Sequence, residues 1–463
     1  MPESINLDRA VPIPELRAAI RGRVITPEDT DYDAARTVFY TGLNTRPAAI
    51  VRPGDARDVA RVVTAAREDG FPLAIRSGGH SPAGHSGVDD GVVIDLASLR
   101  DLQIDPAGRS AWAQTGLTAG EYTAALGAHR LVTGFGDSPS VGVGGITLGG
   151  GVGFLHRKLG LTTDSLLGAE VVTADGEILH VDDESHPDLF WAIRGGGGNF
   201  GVATRFHFRL HEVDEATGGM LILPATVGTI ERFIRLHLEA PESLSGLVNV
   251  MLAPPMPMIP AEHHGKPIIF ALLMNAGDAQ TGERVFAPFR ALSTPIGDMI
   301  RPMRYAKVSE GEGEAPRPPR MAVRSFFTDG IDRAAGEAIL DFLHRSSAPM
   351  RVAQFRVLGG AVARVPVDAT AFAHRNRPIM ALTAAAFGNP AEAAEHEQWA
   401  AQFASQLRRG APGAYIGFLG DEGEGRVREA YPDAVWERLR RIKRQYDPEN
   451  LFHLNQNVPP ADD

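Results

Sequence analysis

The sequence predicts an α+β fold, and three stretches carry that prediction. In the first, Ala48-Ala-Ile-Val-Arg-Pro is apolar and Asp55 stands where a helix N-cap is needed; Val59, Val62, Val63 and Ala66 then recur at helical spacing before Phe71 to Ile75 returns as a strand. In the second, Val202, Thr204, Phe206, Phe208 and Leu210 alternate with Ala203, Arg205, His207 and Arg209, the period of two of a strand. In the third, apolar strand candidates at 247–252, 268–274, 352–358 and 379–385 are separated by helical stretches such as 231–238 and 334–344. That mixture predicts a sheet with one face covered by helices.

Composition narrows the class. The 463 residues are 43% hydrophobic and 22% charged, the profile of a globular chain long enough for two or three domains. A net charge of −11 with no Lys/Arg block argues against a nucleic-acid or membrane partner and for a small molecule. Cysteine is absent, which excludes disulfides, thiolate metal sites, iron–sulfur clusters and a cysteine nucleophile. His80 and His85, or His263 and His264, have no carboxylate cluster at ligand spacing, so no metal is expected. The N-terminus lacks a signal-peptide pattern and no apolar run approaches the ~20 residues of a membrane span, so a cytoplasmic location is expected.

In chain order, residues 1–45 hold an amphipathic segment, Ile13 to Ile20, and an acidic stretch, and read as a surface lead-in. The strand ending at Arg76 stops at Ser77-Gly78-Gly79; His80 follows at once, and a second apolar strand resumes at Val92. Glycines let backbone N–H groups approach an anion closely, and Arg76 adds positive charge at the loop's edge. On spacing alone, His80 is either part of that site or a hydrogen-bonded turn histidine. Between Gly142 and Gly153 seven of twelve residues are glycine, a density that argues against a helix and for backbone in contact with a ligand or a chain crossing. The run Gly195 to Gly201 fits the letters of a dinucleotide fingerprint, but a strand follows where a helix is required, which disfavours a Rossmann domain. Residues 310–319 are expected to form a loop. In the tail helix Val435, Leu439 and Ile442 share a face, while Arg438, Arg440, Arg441, Lys443 and Arg444 are expected in solvent. Asp447-Pro448 reads as an N-cap and first-turn proline, and Asn455, Gln456 and Asn457 offer amides to a polar ligand edge.

Four ordered motifs, RSGGHSPAGHS, SVGVGGITLGGGVGFLHRKLGLTTDSLLGAEVVTADG, DLFWAIRGGGGNFGVATRF and YDPENLFHLNQNVPP, resemble those of the vanillyl-alcohol-oxidase superfamily and, more narrowly, its berberine-bridge-enzyme-like group. The resemblance implies a two-subdomain PCMH-type FAD-binding module at 46–213, to which the C-terminal segment 421–463 returns. Between them it implies an α+β substrate-binding domain, 214–420, with an antiparallel sheet over the flavin. It implies FAD bonded covalently to His80. Arg76, Ser77, Gly78 and Gly79, with Ser81, Gly84 and His85 beyond them, would hold pyrophosphate and ring together with Ser138, Val141, Gly142, Gly144, Gly145, Thr147, Gly149, Gly150 and Gly151. Gly201 and Val202 would meet the adenine side, with Asn455 and Asn457 among the cofactor-binding residues.

Three departures from the family pattern stand out. Ser138 occupies the position of a second attachment cysteine, so a single link is implied. Val152 stands where sugar-oxidising members carry tyrosine. Tyr415-Ile416-Gly417 keeps the tyrosine of a Tyr-x-Asn element and loses the asparagine. By resemblance Tyr415 is the base; an ordinary phenol titrates near ~10, so Arg356, on a strand face with Gln354 and Leu358, is expected to activate it. The segment 353–357 offers no carboxylate. Val141 at the oxygen gate favours an oxidase forming hydrogen peroxide. Met251, Met256, Met258, Met274, Met380 and Phe387 are expected to supply an apolar pocket wall. The implied activity is oxidation of a small hydrophobic or aromatic alcohol or amine, alkaloid- or polyketide-like. The alternatives are a flavin dehydrogenase or oxidative-cyclisation enzyme, or a carbohydrate oxidase. The expected partners are a small-molecule substrate and O2, in a monomer or homodimer.

Overall fold

The computed structural model describes residues 11–309 and 317–462, so most of the loop expected at 310–319 lies outside the described residues. Arg23–Ile25 (β1), Ala49–Arg52 (β2), Leu73–Arg76 (β3) and Val92–Asp95 (β4) form a four-stranded sheet in the order β1-β2-β4-β3. Strands β2 and β3 both run parallel to β4, and the helix Ala56–Asp69 crosses between them with Val59, Val62, Val63 and Ala66 buried. Asp55 caps that helix by accepting the amide hydrogens of Arg57 and Asp58. The lead-in is not merely surface: β1 pairs with β2, and Leu16, Ile20 and Val24 are buried in the same core. Their apolar side chains cover a sheet face that would otherwise meet water.

Leu102–Asp105 (β5), Ser110–Gln114 (β6), Leu166–Val172 (β8), Ile178–Val181 (β9) and Val202–Arg209 (β10) make a second, antiparallel sheet in the order β5-β6-β10-β8-β9. A two-stranded ribbon, Leu131–Val132 (β7) with His211–Glu212 (β11), flanks it. Phe206 and Phe208 on β10 pack with Tyr122 and Phe135 in its core.

The third sheet has eight strands and is antiparallel at every pairing. It comprises Glu215–Pro224 (β12), Leu244–Leu252 (β13), Pro267–Asn275 (β14), Gly297–Asp298 (β15), Arg301–Arg304 (β16), Arg320–Thr328 (β17), Met350–Val357 (β18) and Ile379–Phe387 (β19). The order is β15-β12-β14-β13-β18-β19-β17, with β16 also on β12. Alternation decides its faces. Val248, Val250, Ala353 and Phe355 point into a core with the helices Val227–Glu239, Ala279–Arg290, Arg333–Arg345 and Ala393–Leu407. Their neighbours Leu247, Asn249, Met251, Val352, Gln354 and Arg356 line a cavity on the other side.

Three local expectations are overturned. Val143–Gly149 is helical although three of its seven residues are glycine. A Cβ on Gly144 would come within 3.0 Å of the Ser77 side chain, so close packing compensates the ~1 kcal/mol that each glycine costs a helix. Asp447 does not start a helix; it closes Asp433–Tyr446, and its carboxylate accepts the amide hydrogens of Leu451 and Phe452. Lys443 is not in solvent. It is fully buried, and its ammonium donates to Asp447 at 2.5 Å, Asn199 O at 2.7 Å and Phe452 O at 3.0 Å. Among the described residues no helix is long and apolar enough to cross a membrane.

Candidate active site

The three sheets enclose a cavity of about 660 Å³. The loop after β3 supplies Ser77, Gly78, Gly79, His80, Ser81 and His85, and the segment before and within the glycine-rich helix supplies Ser138, Val141, Gly142, Gly144, Gly145 and Gly149. Gly201 and Val202 open β10 onto it, Asn455 reaches it from the C-terminal strap, and Tyr415 and Arg356 close the substrate side.

Six expected residues lie off the wall. Arg76 is buried with its guanidinium 2.9 Å from Asp95 and donating to Ala35 O at 2.6 Å, so its charge is neutralised inside the first sheet and does not reach the cavity. Gly84 closes a turn with its amide on Ser81 O. Thr147 turns its hydroxyl back to Val143 O at 2.7 Å. The carbonyls of Gly150 and Gly151 take the amide hydrogens of Thr163 and Thr162, and Gly151 N–H donates to the Tyr415 hydroxyl at 3.0 Å. Asn457 is held beside the site with a buried Oδ1 that has no partner.

The glycines divide into two roles. A Cβ on Gly78 would stand 2.1 Å from Gly142 N, and one on Gly142 would stand 2.1 Å from Gly78 N: the two motifs touch backbone to backbone. A Cβ on Gly145 or Gly198 would meet no protein atom within 4 Å, although both residues line the cavity. Space is left there for atoms of a bound molecule. The buried, unpartnered Oδ1 of Asn455 on the same wall is a free acceptor for it. Both observations fit FAD.

His80 stacks on Phe39 with ring centres 4.0 Å apart, and its Nε2 lies 3.1 Å from Ser140 Oγ, which in turn lies 3.2 Å from Ser138 Oγ. Burial pushes the imidazole down to about 4, so it is neutral at pH 7. Tyr415 is buried, edge-on to Phe418, and its phenol is pushed up by burial against the opposing pull of Gly151 N–H and Arg356. The expected activation is outweighed by desolvation. A Cβ at Gly417 would come within 2.7 Å of the Tyr415 ring, so in this chain the ring packs directly against the Gly417 backbone.

Arg356 forms an ion pair with Asp137, donates to Gln354 Oε1, and lies 4.8 Å over the Phe418 ring. Gln354 donates in turn to Asn249 Oδ1 at 2.9 Å. Leu358 turns into the core instead. Of the six expected pocket-wall residues only Met251 lines the cavity; Met274, Met380 and Phe387 are core, Met256 packs beneath the sheet edge, and Met258 is exposed. Met321 and Met350 take their place, together with Phe39, Tyr40 and Asp137, none of which the sequence singled out.

Comparisons with known proteins identify the family. The family model described as a FAD binding domain matches residues 47–182, and the one described as berberine and berberine like matches residues 414–459. The (R)-6-hydroxynicotine oxidase of Paenarthrobacter nicotinovorans is 29% identical over 460 residues, covering 96% of this chain and 97% of that one. The FAD-linked oxidoreductase YvdP of Bacillus subtilis is 30% identical over 463 residues, covering 96% and 99%. The crystal structure of 6-hydroxy-D-nicotine oxidase from Arthrobacter nicotinovorans superposes with a TM-score of 0.83 at 27% identity, covering 96% and 98%. The chain belongs to the berberine-bridge-enzyme-like family of FAD-linked oxidoreductases and takes FAD as its cofactor.

Proposed function

We propose that the protein oxidises a small aromatic or otherwise hydrophobic alcohol or amine, with FAD attached through His80 alone and O2 as the electron acceptor, releasing hydrogen peroxide. When bound, FAD would supply an acceptor for hydride from the substrate carbon and a two-electron donor to O2. The observation that carries the substrate class is the sheet face over the cavity, where Leu247, Met251, Met321, Val323, Val352 and Leu382 make an apolar wall. Such a wall selects by area and shape, and thioethers adapt to irregular outlines. These six side chains offer no hydrogen-bond partner to the hydroxyls of a sugar. The similarity to a 6-hydroxynicotine oxidase supports the same class.

A neutral imidazole keeps a lone pair for bond formation, and with Nε2 on Ser140 the free nitrogen of His80 is Nδ1. Ser138 offers no thiolate for a second link. Tyr415, neutral at pH 7 and with its oxygen accepting from Gly151, keeps its O–H to donate to the substrate's heteroatom. Val141 is small and lines the cavity, leaving access for O2.

An anaerobic screen of aromatic alcohols, hydroxylated N-heterocycles, polyketide aglycones and sugars tests this reading. Bleaching of the flavin by aromatic compounds, with peroxide formed on return of air, is expected. Bleaching by sugars alone would contradict the substrate class, and slow recolouring in air would assign a dehydrogenase.

A further inference from the structure

We propose that Asp137 accepts the substrate's O–H or N–H proton, an inference that rests on the alcohol or amine oxidation proposed above. Among the described residues, Asp137 is the one carboxylate on the cavity wall and Arg356 the one guanidinium. Asp137 comes from the FAD-binding module and Arg356 from the substrate sheet, so their ion pair spans the seam where cofactor and substrate meet. The Asp137 side chain retains 24% exposure, whereas Arg356 retains 7%.

Geometry sets the carboxylate in place. Its Oδ2 is held by Arg356, while its Oδ1 takes no hydrogen bond from any described residue. Arg356 cannot swing freely, because Gln354 Oε1 holds a second guanidinium nitrogen and Phe418 lies under its plane. Gln354 is fixed by Asn249 on the adjacent strand. The result is an oriented chain, Asn249–Gln354–Arg356–Asp137, that ends on one uncommitted oxygen. Preorganisation of this kind holds a general base in position without reorganisation during reaction.

Tyr415 is the other candidate, and its chemistry differs. Carboxylates ionise well below neutrality and phenols well above, and the Tyr415 oxygen already accepts from Gly151. The division of labour is therefore donation by Tyr415 and acceptance by Asp137. In the step, the C–H hydrogen leaves with its electron pair for the bound flavin, and the O–H or N–H bond breaks with its proton passing to Asp137 Oδ1. A C=O or C=N bond forms, two electrons leave the substrate, and the partly exposed carboxylate returns the proton to water. Asp137 and Arg356 both lie close enough to Tyr415 to act on its phenol, and Arg356 acts on His156 as well.

Stopped-flow reduction of the flavin-loaded enzyme at pH 7, with a substrate that bleaches the flavin in the screen, provides the test. D137N should reduce flavin at least ~100-fold more slowly, while Y415F should be slowed less. Because D137N strands Arg356 without its partner, D137N/R356Q is measured beside it and should be as slow. D137A should recover rate with added formate, acetate or propionate in proportion to their basicity, which a merely structural carboxylate would not require. Independently of turnover, calorimetric binding of 2-phenylpropan-2-ol, which has no hydrogen on its carbinol carbon, should weaken about 10-fold in D137A. Reduction by D137N within threefold of wild type would overturn the proposal. A screen in which nothing bleaches the flavin would instead count against the oxidation itself.

Discussion

Ser140 Oγ lies 3.1 Å from Nε2 of His80 and so holds the imidazole edge on the cavity wall, with Phe39 stacked on its face. One such hydrogen bond is worth about 1 kcal/mol, enough to bias ring orientation and tautomer without deciding the fold. Ser140→Ala is expected to slow covalent flavin attachment several-fold during reconstitution of apoprotein, followed as flavin fluorescence retained on a denaturing gel. Equal attachment rates would show that Phe39 alone positions the ring.

The two glycine roles separate experimentally. Gly145→Ala adds a methyl that meets no protein atom and removes a helix penalty of about 1 kcal/mol, so the protein should melt no lower than wild type but carry less flavin. Gly142→Ala places a Cβ 2.1 Å from Gly78 N and should prevent folding. Melting curves and the flavin-to-protein absorbance ratio check both; full flavin content in Gly145→Ala would remove that face from the cofactor site.

Lys443 ties the C-terminal strap to the loop carrying Asn199. Lys443→Met leaves the Asp447 carboxylate buried without its cation, a loss of roughly 3 to 5 kcal/mol. Urea denaturation should register that loss. Flavin affinity should fall as well, because the strap carries Asn455 to the cavity.

Stability should fall in acid through the buried His237. Burial pushes its imidazole down to about 3, so in the folded state it stays neutral at pH values where the unfolded chain takes up protons. Its contribution is complete above the ordinary value near 6.5 and is lost as pH falls toward that depressed value. Neither ring nitrogen of His237 has a hydrogen-bond partner, so His237→Leu should flatten the decline in melting temperature between pH 7 and 4.5 without lowering the value at pH 7. An unchanged slope would exclude His237 from the acid response.

Local pattern made much of this molecule legible. The alternation along β13 and β18 separates Val248 and Phe355, in the core, from Asn249 and Gln354, on the cavity, and the strand after Gly201 is where its period of two puts it. What stayed hidden is pairing at long range. Arg76 suits an anion by composition until Asp95 neutralises it, and Asp137 and Arg356 are 219 residues apart. The helix at Val143–Gly149 was equally invisible, because it depends on Ser77 packing against bare backbone. Lys443 reads as surface charge until its three buried acceptors are known.

Mass analysis of the proteolytic fragment containing His80, taken from acid-denatured wild-type protein, tests the flavin attachment most directly. The fragment should carry the added mass of FAD, and the same fragment from His80→Ala should not. A wild-type fragment of bare mass, with all flavin released into the acid supernatant, would contradict attachment through His80.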